Sequence, residues 1–142
     1  MPILKKGSKK ENKPKKIKKV PEGRGIIHGT FSFNNTILTL SKENGEALTT
    51  VSGGSVDLGN GKKVTGAKKG TPFVAEAVAK EIIRRAIEFG IYNVELHVKK
   101  IGAGRNTVTE TIQKQKSLNA EALVDGTPVP HGGCRPRKRP RK

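Results

Sequence analysis

Few side chains in this sequence can do chemistry at neutral pH, and their spacing argues against most of it. His28, His97 and His131 fall in three different segments, and the one cysteine, Cys134, follows His131 by three residues. Two lone ligands do not make a zinc site, which takes about four, and a Cys–His pair without an orienting third group lacks what activates a nucleophile. Two-metal hydrolysis of a phosphodiester needs several carboxylates converging on one point, typically starting on the first strand. Residues 23–42 contain no Asp or Glu at all. No catalytic residue, metal ligand or cofactor site is therefore assigned. What remains is recognition of an anion. Gly102-Ala103-Gly104-Arg105-Asn106-Thr107, preceded by Lys99 and Lys100, is expected to join a strand to a helix. Glycines there let backbone N–H groups approach an anion, and a helix N-terminus adds partial positive charge. The run lacks the third Gly of a dinucleotide fingerprint and the Gly-Lys-Ser/Thr of a phosphate loop. It reads either as an ordinary tight turn or, with its three cations, as a contact for a nucleic-acid phosphate.

The charge distribution favours the second alternative. The chain has 142 residues, a one-domain length, and a formal charge of +17. Residues 1–25 hold ten Lys/Arg against two Glu, and residues 135–142 hold six Lys/Arg and no acid, leaving the middle nearly neutral. Like-charge blocks of this kind stay unfolded until a polyanion meets them, and their Pro and Gly residues keep them extended. The ending PVPHGGCRPRKRPRK, residues 128–142, has four prolines and two adjacent glycines, which forbid a helix. Three segments follow: a basic extension over 1–24, a core over 25–127 that is expected to fold without the arms, and a basic tail over 128–142. With no Trp, one Tyr and four Phe, base stacking is not expected to carry binding. A single cysteine excludes an internal disulfide and fits a reducing compartment. No apolar run approaches the ~18 residues of a membrane span, and no apolar stretch follows the N-terminal lysines as a secretory signal requires.

The elements that would position these groups read as βββαβαβ. Residues 25–33 alternate with period two as a first strand, and Asn34-Asn35 is a candidate two-residue turn because Asn tolerates positive φ. TILTLSK (36–42) and ALTTVS (47–52) form a hairpin about Asn44-Gly45. Residues 53–70, glycine- and lysine-rich without periodicity, make a loop holding a small ribbon. Thr71 as N-cap and Pro72 at the first helical position open a helix that Gly90 ends. Its apolar stripe is Ala75, Val78, Ala79, Ile82, Ile83 and Ala86, and the pairs Glu76–Lys80 and Glu81–Arg85 lie on a solvated face. YNVELHVKK (92–100) is a strand with Val94, Leu96 and Val98 inward, which puts His97, like His28, on a polar, exposed phase. A short helix over 105–116 and a last strand over 120–126 complete the core.

Four blocks carry a resemblance: SFNNTILTL (32–40), GAKKGTPFVAEAVA (66–79), VELHVKKIGAGRNT (94–107) and DGTPVPHGGCRPRKRPRK (125–142). In order, they resemble the signature blocks of the universal eleventh-protein family of the small ribosomal subunit, bacterial type, over about residues 24–142. The chain departs from the family's usual pattern in three places. Gly-Pro-x-Gly-Arg-Glu becomes Ile101-Gly102-Ala103-Gly104-Arg105-Asn106, Pro-His-Asn-Gly-Cys loses its Asn-Gly at His131-Gly132-Gly133-Cys134, and the 53–65 stretch is longer. The resemblance implies a non-enzymatic rRNA-binding protein with an RNase H-like mixed α/β sheet. It also implies a place on the small-subunit platform near the mRNA exit path and the Shine–Dalgarno cleft, in a bacterial-type ribosome of the cytoplasm or an organelle. Its neighbours would be the sixth, eighteenth and twenty-first small-subunit proteins. The implied rRNA contacts are Asn34 and Asn35, Lys68 and Lys69, the loop with Gly102, Gly104, Arg105 and Asn106 beside Lys99 and Lys100, and the tail from His131 through Arg135, Arg137, Lys138, Arg139 and Arg141. The basic arms alone would also suit a free regulatory or chromatin-type nucleic-acid-binding protein; the four blocks would not.

Overall fold

The computed structural model describes residues 23–59, 61 and 63–141, so most of the expected N-terminal extension lies outside the described residues. The elements follow the expected order: β1 Arg24–Phe31, β2 Thr36–Ser41, β3 Ala47–Ser52, α1 Pro72–Phe89, β4 Asn93–Lys99, α2 Gly104–Lys114 and β5 Asn119–Asp125. They build one mixed sheet in the order β3-β2-β1-β4-β5. The β1–β2 and β2–β3 pairs are antiparallel hairpins, while β1–β4 and β4–β5 are parallel and need helical crossovers.

Period-two patterning decides which face is buried. Ile27, Phe31, Leu38, Leu40, Val51, Val94, Leu96 and Val98 point to the helix side and are at most 2 % exposed. The stripe of α1 meets them with Val74, Ala75, Val78, Ala79, Ile82, Ile83 and Ala86, and α2 adds Val108 and Ile112. Small residues along α1 let α2 lie close: a methyl on Gly104 would sit 2.5 Å from the Ala75 Cβ. Gly90 ends α1 at φ 79°, and the Gly90 and Ile91 N–H groups close back on the Ala86 carbonyl. The charged side of α1 is not merely solvated. Arg85 pairs with Glu81 and also donates to Thr49 Oγ1 at 2.8 Å, tying the helix to β3.

Four local readings need correction. Thr71 stands at the N-cap but its side chain caps nothing; its hydroxyl donates backwards to the Lys68 carbonyl at 2.7 Å. The ribbon in the 53–70 loop is a single bridge, Asp57 to Lys63, beside a 3-10 turn, Gly66–Gly70. Asn34 and Asn35 do not form a two-residue turn with positive φ. Among the described non-glycine residues only Lys100 has positive φ, and the reversal is a wider one over 32–35. His28 and His97 are half-buried rather than exposed: they sit opposite one another on β1 and β4 and meet edge to face, with ring centroids 5.3 Å apart. Burial, His97 and Lys99 together hold the His28 pKa below its ordinary value.

The 32–35 turn is seated on glycines. A methyl on Gly70 would overlap the Phe33 carbonyl oxygen, and one on Gly102 would lie 2.7 Å from that of Ser32. Neither contact is with a flexible side chain that could swing away. Gly70→Ala and Gly102→Ala are therefore each expected to cost about 1–3 kcal/mol, the scale of forced overpacking, measured as a fall in the urea midpoint. Gly126→Ala, whose methyl would meet the Lys99 stem at 3.5 Å and the Val98 carbonyl at 3.9 Å, both ordinary contacts, should stay within ~0.5 kcal/mol. Equal midpoints for all three would refute the seating.

Candidate nucleic-acid interface

Parallel pairing sends the C-terminal ends of β1, β4 and β5 to the same edge of the sheet. At that edge the chain makes the 32–35 turn, the 99–104 loop and the exit into the tail. The 3-10 turn reaches it as well, because Gly70 abuts Phe33. Asn34, Asn35, Lys68, Lys69, Lys99, Lys100, Gly102, Gly104, Arg105 and Asn106, scattered over seventy-odd positions of sequence, thus share one end of the molecule.

Their roles within it differ. Ser32 closes its turn with three bonds: its N–H and its hydroxyl donate to the Asn35 carbonyl at 2.9 and 3.0 Å, and its hydroxyl accepts the Asn35 N–H at 3.0 Å. Asn35 turns its Oδ1 onto the Thr36 N–H at 2.9 Å and faces Gly53, so its side chain holds the turn while Asn34 is exposed. Lys69 lays its stem over Gly53 and Gly54, and Lys68 is exposed. Lys100 takes φ 64°, a left-handed conformation costing about 1–2 kcal/mol for a residue with a Cβ, and so turns Ile101-Gly102 back across Ser32. The glycines read as anion-approach points are used for packing: Gly102 lies on the 32–35 turn and Gly104 is buried against Ala75 and Thr36.

Arg105 is committed within the protein. Its guanidinium pairs with Asp125 at 2.7 Å and donates to the Lys100 carbonyl at 3.3 Å. Asp125 in turn accepts the Thr127 N–H at 3.0 Å and hydroxyl at 2.6 Å. The cluster locks the β4–α2 loop to the first residues of the tail. Beyond it the tail is exposed through Arg141 apart from a half-covered Thr127, and among the described residues no side chain past Thr127 makes a hydrogen bond or ion pair. His131, Arg135, Arg137, Lys138, Arg139 and Arg141 therefore leave from the basic end without being fixed to it.

Both helices begin at this end, α1 behind Gly70 and α2 behind Gly102. Neither has a side-chain N-cap bond or an acid in its first turn. Two unneutralised helix N-termini add partial positive charge to that of the lysines. At the opposite end Arg24 is bracketed by two acids, Glu43 and Glu121, at 3.8 and 3.9 Å. Sequence reasoning missed the Arg105–Asp125 lock and the uncapped starts, because a pair twenty residues apart has no local signature.

Hydrogen bonds from Thr127 first, and then from Arg105, hold the Asp125 carboxyl at about 2, below its ordinary 3.8. A depressed carboxylate pKa adds stability that is present above the unfolded value and lost as pH falls through the folded one. The melting temperature of Asp125→Asn should accordingly lie below that of the wild type from neutral pH down to about 4. The gap should close as pH drops through 2, and a gap that persists or widens there would contradict the lock.

Comparison with known proteins places the chain in a family. Residues 25–141 match the family described as Ribosomal protein S11. Over 132 residues the chain is 40% identical to the small ribosomal subunit protein uS11 of Kosmotoga olearia, covering 93% of this chain and 96% of that one. The uS11 protein of Thermus thermophilus is 39% identical over 135 residues, covering 95% and 98%. That of Thermotoga maritima is 40% identical over 133 residues, covering 94% and 97%. The chain belongs to the ribosomal protein S11 family, a structural and non-enzymatic one.

Proposed function

We propose that this protein is a structural constituent of the small ribosomal subunit that binds small-subunit rRNA with the basic end of its sheet and its C-terminal tail. The observation that carries the reading is the convergence of four lysines, two uncapped helix starts and the root of the cationic tail at one sheet edge. No acid lies in the 32–35, 66–71 or 99–104 segments that form it. A rigid basic end docks on preformed RNA helices, while an extended tail of arginines and lysines threads between them and gains its order from phosphate contacts. Release of counterions supplies much of the affinity and makes it salt-dependent.

Resemblance to the bacterial-type family adds finer placement to this proposal: the platform, near the mRNA exit path and the Shine–Dalgarno cleft, beside the sixth, eighteenth and twenty-first proteins. The compartment would be a bacterial-type ribosome in the cytoplasm, and the core would be of the RNase H-like kind.

Gradient centrifugation tests the reading. The protein should travel with the small subunit through a moderate-salt wash, whereas a free regulatory nucleic-acid-binding protein would be stripped to the top. Deleting 131–142 should leave the melting temperature nearly unchanged, since the described residues among them are exposed and make no side-chain hydrogen bond or ion pair, yet weaken rRNA binding sharply and flatten its salt dependence. Wild-type affinity of the truncated protein across a salt series would sink the tail's role.

Arg105 separates lock from ligand. Arg105→Ala should weaken rRNA binding by roughly 1.5–3 kcal/mol and lower the salt slope by about one phosphate. Asp125→Asn breaks the same ion pair but leaves the guanidinium free, and should not weaken binding. Equal losses for the two variants would make Arg105 a purely structural residue.

A further inference from the structure

We propose that Phe33 is a stacking platform for an unpaired base of the RNA bound at the basic end. The inference rests on the rRNA reading above and adds to it a residue that composition argued against. Phe31, two positions earlier, is fully buried, whereas Phe33 is 80 % exposed. Burying such a ring stabilises a fold, and the turn forgoes it. Looseness does not explain the exposure. The Phe33 carbonyl lies against Gly70, and the turn around it is closed by three bonds between Ser32 and Asn35. The ring therefore stands out on a rigid base, already organised for contact, so little ordering cost remains when a ligand meets it.

Its surroundings say what that ligand is. Lys68 and Lys69 precede Gly70, which abuts the Phe33 carbonyl, and Lys99 and Lys100 precede Gly102, which abuts that of Ser32. Ile101, 70 % exposed, stands next to Gly102 and extends the apolar surface. An exposed aromatic ring on a turn that two lysine-bearing segments abut matches a nucleotide: a flat apolar base for the ring, and phosphates for the cations. Every base has a π-face, so such a contact tolerates any sequence and favours loops and bulges over paired helices. A protein partner covering the same ring would have to bring apolar surface edged with acids.

The test uses full-length wild type, Phe33→Leu, Phe33→Tyr and Tyr92→Leu, the last removing an exposed aromatic at the opposite end of β4. Binding to small-subunit rRNA is measured across a salt series, and irradiation at 254 nm followed by mass spectrometry maps nucleotide adducts. Phe33→Leu should weaken binding roughly 5- to 100-fold, the scale of losing one base stack, with melting temperature and salt slope unchanged because no phosphate contact is lost. Phe33→Tyr should bind like the wild type, Tyr92→Leu should be silent, and an adduct should map to Phe33. Wild-type affinity of Phe33→Leu, or an adduct map that omits residue 33, would overturn the proposal. So would normal rRNA affinity combined with failed subunit assembly, which would mean that the ring docks on a protein. A wild-type protein that does not bind the rRNA at all would instead overturn the ribosomal reading, a failure that the substitutions alone cannot produce.

Discussion

Everything at the basic end depends on one packing constraint: main chain resting on main chain around the 32–35 turn. Gly70 and Gly102 press on it from two sides, and Gly53 approaches Asn35 Oδ1. Side chains would hold the three segments several ångströms further apart. The constraint is steric, and therefore insensitive to salt and pH, unlike the lysines it gathers. It also explains why Lys100 accepts a left-handed φ: the loop must double back immediately after β4 to bring Gly102 under Ser32.

Gathering like charge costs free energy, and the fold lowers that cost without cancelling it. The body itself is close to neutral, but its acids are spent elsewhere. Glu76, Glu81, Glu88 and Glu110 pair with basic residues on their own helices, and Glu43 and Glu121 bracket Arg24 at the far end. At the basic end Asp125 serves Arg105 and Thr127. The aligned helices add their N-terminal partial charges to the same side. The result is a near-neutral domain with cations gathered at one end, a distribution that would orient the body toward a polyanion before any contact formed. The acid-free first strand fits the same pattern: it ends beside lysines and carries none of the carboxylates that two-metal cleavage of a phosphodiester needs.

The sheet and its first helix were legible because they obey period. ALTTVS became β3 without an adjustment of its bounds, and the six residues assigned to the α1 stripe are all buried. What could not be read was which face of a residue mattered. Asn34-Asn35 signals a reversal in any sequence, but only the position of Gly53 shows that Asn35 is turned inward and Asn34 outward. Gly-x-Gly-Arg looks like an anion cradle by type. In the fold its glycines are consumed by Ser32 and Ala75, and its arginine by Asp125. Both cases have one cause: local sequence records what a segment can do, and tertiary contact decides which of its groups the protein itself already engages. The same holds for Phe33, whose fate no composition count can foretell.

The Arg105–Asp125–Thr127 cluster joins the two halves of the interface, one rigid and one adaptable. An extended fifteen-residue tail samples a sphere up to ~50 Å in radius, far more space than an RNA crevice occupies, so its ordering entropy is large. Fixing its first residues beside the β4–α2 loop removes part of that entropy in advance and aims the chain away from the sheet edge. The lock uses charge-assisted hydrogen bonds, so it responds to what binds. A phosphate near Arg105 would compete with Asp125 for the guanidinium, and Thr127 alone would then hold the carboxylate. Body and tail would be coupled at that point: docking of the rigid end would loosen the root of the tail as the tail seeks its own contacts. A purely apolar hinge would position the tail equally well, but it could not be released by the arrival of the ligand.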